Sequence, residues 1–155
     1  MPYEPQPFAT PTDTILHDCA NNFQEGIANM NALLVSMDKT NARLKYYSGY
    51  MQTQTMLGVN KGESMPVLER QKLKDDIFNI IKETDTYVAS GKTHNNLQAL
   101  KKLAKDLLSV NSLSKEVEIL QAIVGLMNAI KKDTTYALSG MQNLLSETTK
   151  LKKFI

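Results

Sequence analysis

The sequence predicts an all-α protein: an elongated, coiled-coil-like helical bundle in which two long helices (about 11–57 and 113–150) flank two shorter ones (about 65–89 and 95–110). Three observations carry that prediction. The first is a repeat. Steps of three and four residues from Leu16 meet Leu16, Cys19, Phe23, Gly26, Met30, Leu33, Met37, Thr40, Leu44, Tyr47, Met51 and Gln54, with mostly polar residues between them. A 3.5-residue period is the seam of a helix packed lengthwise on others. The second is composition: six Tyr, four Phe and no Trp stand against eight Met. Unbranched side chains fill the gaps between helices well, whereas a sandwich needs alternating β-branched and aromatic residues. The third is punctuation, because turn residues cluster at few places and leave long uninterrupted stretches.

Residues 1–9 form a tail predicted to be flexible, and 10–155 a single helical-bundle domain. Pro2, Pro5 and Pro7 favour extended backbone in that tail. It is either a disordered leader or a docking strap with Tyr3 and Phe8 as anchors on a neighbour. Thr10 then reads as an N-cap, with Pro11 at the first helical position and Asp13 against the positive end of the helix dipole. The first helix would be roughly 65–70 Å long. Gly26 falls on its seam, where a missing side chain admits a close crossing or a bulky knob. Tyr46, Tyr47 and Tyr50 are expected to turn their rings inward and keep their hydroxyls wet.

The stretch Gly58 to Ser64 is a turn, and Pro66 opens the second helix. Its apolar face runs through Leu68, Leu73, Ile77, Ile80, Ile81, Tyr87 and Val88, and Gly91 reads as its stop. Thr93 or Asn95 caps the third helix, which buries Leu97, Leu100, Leu103, Leu107 and Val110. Ser112 or Ser114 caps the fourth, with Glu116 and Glu118 in the first turn, where acids are favoured. Two stripes run along the fourth helix, one through Val117, Leu120, Val124, Met127, Leu138, Met141 and Leu145. The other passes through Ile119, Ile123, Leu126, Ile130, Ala137, Leu144 and Leu151. So wide a face contacts two neighbours. The segment Lys131–Thr135 interrupts both stripes and predicts a wet or partner-facing layer. Helices 2 and 3 either lie end to end along the long helices or fold back to make a four-helix bundle at one end only.

Signals for chemistry are weak throughout. His17 and His94 are the two histidines, and neither has a second ligand at helical spacing. Asp75 and Asp76 lie beside Lys72 and Lys74, as on a solvated face. Gly91-Lys92-Thr93 copies the end of a phosphate loop, but Thr86 stands where the first glycine belongs. Ser139-Gly140 follows Ala137, which breaks the nucleophile-elbow pattern. No catalytic, cofactor-binding or metal residue is therefore predicted, and no cofactor. Net charge is only +2, and Arg43 and Arg70 are the two arginines, so nucleic acid is not expected as a partner. The longest apolar run, Ile119 to Ile130, is interrupted by Gln121 and Asn128 and is too short to span a bilayer. The N-terminal residues lack a basic stretch followed by an apolar one, so neither a secretory leader nor a membrane partner is expected, and a cytoplasmic location is. Cys19, the one cysteine, excludes an internal disulfide and reads as a small buried hydrophobe. Lys150, Lys152 and Lys153 complement the negative end of the fourth helix, with Phe154 and Ile155 packed on the bundle or a partner.

These readings converge on a non-enzymatic structural or interaction protein, a helical subunit or scaffold that assembles through its long apolar seam. The candidate interaction residues are Leu16, Cys19, Phe23, Met30, Leu33, Met37, Leu44, Tyr47 and Met51. The first helix exceeds what two short helices can cover, which predicts a homo-oligomer or a place in a larger protein complex. The bare strip is expected around Tyr47, Met51 and Leu57. Two alternatives stand beside this one. A delivered effector or pore-former would insert the Ile119–Ile130 run into a membrane, and a helical chaperone would hold an amphipathic partner in Met-lined grooves.

Overall fold

The structure is a computed structural model and describes residues 11–58, 64–88 and 91–154. Among them it contains four helices and no strand: α1 (Pro11–Met56), α2 (Val67–Tyr87), α3 (Gly91–Asp106) and α4 (Leu113–Lys152). The predicted tail, the Thr10 cap and the packing of Ile155 lie outside the described residues.

Cross-helix contacts give the topology. Gly26 lies against Met141, Asp38 pairs with Lys131 at 2.5 Å, and Asn41 donates to Asn128 at 2.9 Å. As α1 numbers rise, α4 numbers fall, so the two long helices run antiparallel along most of their length. α2 folds back on α1, with Asn29 donating to the Tyr87 hydroxyl at 2.6 Å and Arg43 meeting Asp76 at 2.6 Å. α3 then returns antiparallel to α2, carrying Lys101 over the ring of Phe78. Of the two arrangements open to the short helices, the chain adopts the hairpin.

This hairpin is too short to accompany the long pair to both ends. α2 has 21 residues and α3 16, against 46 in α1 and 40 in α4. The result is a four-helix body, spanning α1 from about residue 27 to 56, and a two-helix arm roughly 25 Å long. In the body the seam is dry: Met30, Leu33, Met37, Leu44 and Met51 are fully buried, with Leu73, Ile77, Leu100, Leu120, Ile123, Met127 and Ile130 around them. The seam of α1 therefore meets its own chain here, chiefly α4, which lies along it. The supposition that only the short helices were there to cover α1 is corrected.

Several local expectations shift. Gly91 opens α3 rather than stopping α2, and α3 ends at Asp106, with Leu107–Ser109 as a turn. Arg70 explains that early end. Its Nη1 donates to the carbonyls of Leu107 (3.3 Å) and Val110 (2.9 Å), groups that a helix C-terminus leaves unpaired. Ser112 is the cap of α4, accepting from the Lys115 N–H at 3.3 Å. Tyr46 and Tyr50 do not turn inward; both are exposed and only Tyr47 is half-buried. Leu44, Ser48 and Met51 already fill the inward face of that turn, and the two outer tyrosines sit off it. Phe154 is likewise exposed rather than packed on the bundle.

The interruption at Lys131–Thr135 is not a wet layer. Thr134 is fully buried and donates to the Ile130 carbonyl at 2.8 Å, while Asp133 accepts from Thr93 at 2.7 Å. Thr84 is fully buried too, donating to the Ile80 carbonyl at 2.7 Å. Thr84 and Thr93 both lie near the α2–α3 connection, so polar side chains with satisfied hydroxyls close the body where the arm begins.

Candidate interaction surface

Beyond the α2–α3 connection, α1 and α4 continue with only each other among the described residues. The same heptad seam is now half covered. Leu16, Cys19 and Phe23 are half-buried, and Ala20 is the one buried side chain in α1 before Gly26. On α4 only Thr148 is buried past Leu138. Gly26 marks the junction. A Cβ there would collide with Met141 Sδ, and the Tyr87 ring lies 3.9 Å away. The missing side chain thus admits a methionine knob from α4, the role the sequence suggested.

Open apolar side chains occur at both ends of the molecule: Tyr46, Tyr50, Met56, Leu57, Val67 and Leu68 near the end of α1 and the start of α2, and three on the arm. Ile15 is 62% exposed, and Leu144 and Leu151 are each 53% exposed. Ile15 lies two heptads before Asn29, whose side chain touches α2. Leu144 and Leu151 lie three and five turns beyond Asp133, whose carboxylate touches α3. These three residues therefore point where α2 and α3 would be if the hairpin were longer. The arm is the body with half its helices left out.

Charge is sparse where the arm leaves the body. From Thr134 to Ser146 α4 has no charged residue, and from Cys19 to Met37 α1 has only Glu25, while Asp13, Asp18, Glu147, Lys150 and Lys152 sit toward the tip. The outer faces of α2 and α3 carry Lys72, Lys82, Glu83, Asp85, Lys101, Lys102 and Lys105, all exposed. Loss of charge from a partly apolar surface is the compositional mark of an interface core. A solvated two-helix pair more often flanks its seam with Glu and Lys.

The sequence placed the bare strip at the opposite end. Met51 is fully buried, Tyr47 is half-buried, and of that trio only Leu57 is open, at 76% exposure. The hairpin packs against the C-terminal half of α1 and covers Met51 there, while Met56, Leu57, Val67 and Leu68 stay open.

The body's polar contacts are structural in character. Arg43 reaches Glu69 (2.7 Å) and Asp76 (2.6 Å), tying α1 to α2. Partial burial disfavours its charge, but the hydrogen bonds to the two carboxylates outweigh this and hold its pKa above the usual arginine value. Asp76 is thus engaged, while Asp75 stays on the solvated face. Arg70 and Glu116, which sequence reading passed over, form a buried pair at 3.0 Å, with side chains 9% and 1% exposed. Glu116 Oε1 also accepts from the Met65 N–H at 3.3 Å. Burial raises the Glu116 pKa despite the opposing pull of Arg70 and that N–H. A signal was present: Arg70 leads the run 70, 73, 77, 80, 84 on the inward face of α2, and Glu116 lies in phase with Leu113, Leu120 and Ile123.

His17 meets Asn21 on an exposed face at 3.2 Å, and His94 lies 4.0 Å from Asp85. Among the described residues no group of three or more His, Cys, Asp or Glu is placed to hold a metal ion. The larger clefts are open grooves. One, of about 460 Å³, lies between α1 and α2 around Lys39, Arg43, Lys72 and Asp76, and its charges are partly spent on each other. Another, of about 540 Å³, is lined by Tyr46, Tyr47, Tyr50 and Met65. No described helix is long and apolar enough to cross a membrane. Comparison with protein-family models, curated proteins and solved structures finds no match to this chain.

Proposed function

We propose that the protein is a non-enzymatic helical interaction or scaffold subunit, and that it assembles with protein partners through the apolar face of its two-helix arm. The observation that carries this reading is the open apolar face bearing Ile15, Leu144 and Leu151, on the side where the body has its second helix pair. Of the residues first singled out, Leu16, Cys19 and Phe23 belong to this face. Met30, Leu33, Met37, Leu44 and Met51 serve the body's own core, with Tyr47 at its edge. A partner helix laid on the arm would remove from water an apolar strip of the kind that drives association. The membrane-acting alternative relies on the Ile119–Ile130 run, whose Leu120, Ile123, Met127 and Ile130 are core residues of the body.

The test is gel filtration of the protein at native abundance in extract of the cell that makes it. The wild type should elute well above the 17.4 kDa of one chain. A Leu144→Glu, Leu151→Glu double variant should move to the monomer position with its helical circular dichroism intact. A wild type that elutes as a free monomer contradicts the reading.

A further inference from the structure

We infer that the partner of the arm is a second copy of this chain, docked arm on arm with the two copies pointing in opposite directions. The inference rests on the arm reading above and adds to it the identity of the partner and the geometry.

The body shows what this helix pair needs in order to close. There, α1 and α4 are completed by an antiparallel pair, α2 and α3, of 21 and 16 residues. The arm is itself an antiparallel pair of about that length. A second arm is therefore the missing half in kind and in size, and it continues the four-helix cross-section of the body. The charge pattern suits self-contact as well. An isologous interface sets each patch against itself, so a strongly charged face would repel its copy; the run from Thr134 to Ser146 is uncharged, and Glu147 beyond it is paired with Lys150 at 3.3 Å.

Sterics then select the direction. If the copies lay with their tips together, the partner's α1 and α4 would continue beyond the arm into the space held by α2 and α3. Only the reversed arrangement avoids this overlap. The tip of one arm then abuts the α2–α3 connection of the other, with the bodies at the two far ends. The two-fold axis crosses the arm at its midpoint, near Cys19 on α1 and, by the register of Gly26 against Met141 and Asp38 against Lys131, near Thr148 on α4. Cys19 follows Ile15 by one turn on the open side and is half-buried, so two Cys19 thiols face each other near the axis.

Purified full-length protein tests the inference in three readouts. Light scattering at micromolar concentration should give twice 17.4 kDa. A short bis-maleimide should join two chains through Cys19, and a Cys19→Ser variant should not cross-link. Small-angle scattering should give a maximum dimension of about 115 Å, from two bodies of roughly 45 Å and one shared arm of roughly 25 Å. Leu144→Glu with Leu151→Glu should weaken association at least ~30-fold. Gln142→Glu, at an exposed position half a turn around α4 from Asp133 and Leu151, should leave it unchanged.

A dimer of about 70 Å that does not cross-link at Cys19 would overturn the geometry. A monomer by light scattering overturns the second copy as partner. If that monomer still elutes as a larger species in cell extract, the arm reading survives and another protein covers the face. If it is monomeric in both, the two fall together.

Discussion

Within one unbroken helix, α1 runs through two different environments. From Met30 to Met51 its seam is buried at every position but Tyr47, and from Leu16 to Phe23 the same seam, in the same phase, is only half covered. The sequence period does not change between them. What changes is the number of helices in the cross-section, four in the body and two in the arm. A heptad pattern states which side of a helix wants to be dry; it does not state who dries it. The comparison teaches that an apolar seam is a demand for partners, and that the tertiary fold decides where the chain itself meets it.

The sharpest way to break this comparison is to put one charge at equivalent seam positions of both regions. Leu33→Asp buries a carboxylate in a layer that offers it no partner and should cost about 4 kcal/mol. Leu16→Asp, at a half-buried arm position, should cost only about 1 kcal/mol in dilute monomer, and Asn31→Asp on the outer face less than about 0.5. Urea denaturation measures all three. Equal losses at Leu33 and Leu16 would mean that the arm is as closed as the body.

Next in size is the buried pair at the base of the body. Glu116→Leu strips the buried Arg70 guanidinium and the Met65 N–H of their acceptor and should cost about 3 kcal/mol. Replacing both, as Arg70→Met with Glu116→Leu, should recover most of that loss, because removing a whole buried pair is often neutral. A double variant no better than the single would show that the pair is needed for more than charge balance. The pH dependence has a definite sign. Burial lifts the Glu116 pKa above its ordinary value of 4.5, so the folded chain takes up this proton before the unfolded one. As pH falls from neutral toward 4.5, stability measured relative to Glu116→Gln should rise, then level off below 4.5. A relative stability that falls over that interval contradicts the burial argument.

Glycines give the smallest effects. At Gly49 an added Cβ meets nothing within 4 Å, so Gly49→Ala should stabilise α1 by about 0.5–1 kcal/mol. At Gly26 the same change must displace Met141, so its gain should be smaller or absent, and Gly26→Leu should cost about 1–3 kcal/mol. Thermal melts compare the three. An equal gain at both glycines would mean that Met141 does not hold the junction.

Helix number, the seam of α1, the wide face of α4 and the Ser112 cap were all legible in the residues, because period and capping are local properties. Seam residues from Leu16 to Gln54 are all buried or half-buried, as their phase required. The hairpin was not legible, since nothing in α2 or α3 distinguishes lying end to end from folding back. That choice moved the bare surface from Tyr47–Leu57 to the arm. Arg70 and Glu116 were missed for another reason. A charged residue in phase with an apolar run reads as a break or a first-turn acid until its partner, far away in sequence, is known. The exposed Leu144 and Leu151 sit in the second stripe of α4 and look like core, and only the start of α3 at Gly91, near Asp133, shows that nothing in the described chain covers them.

Amide hydrogen exchange, read along α1 and α4 at low and high protein concentration, tests the central claim most directly. The account predicts strong protection at Met30–Met51 and Leu113–Thr134 at every concentration. It predicts weak protection at 11–25 and 138–152 in dilute protein, rising with concentration as the arms pair. Uniform protection along both helices at all concentrations would contradict it, since the arm would then be complete without a partner.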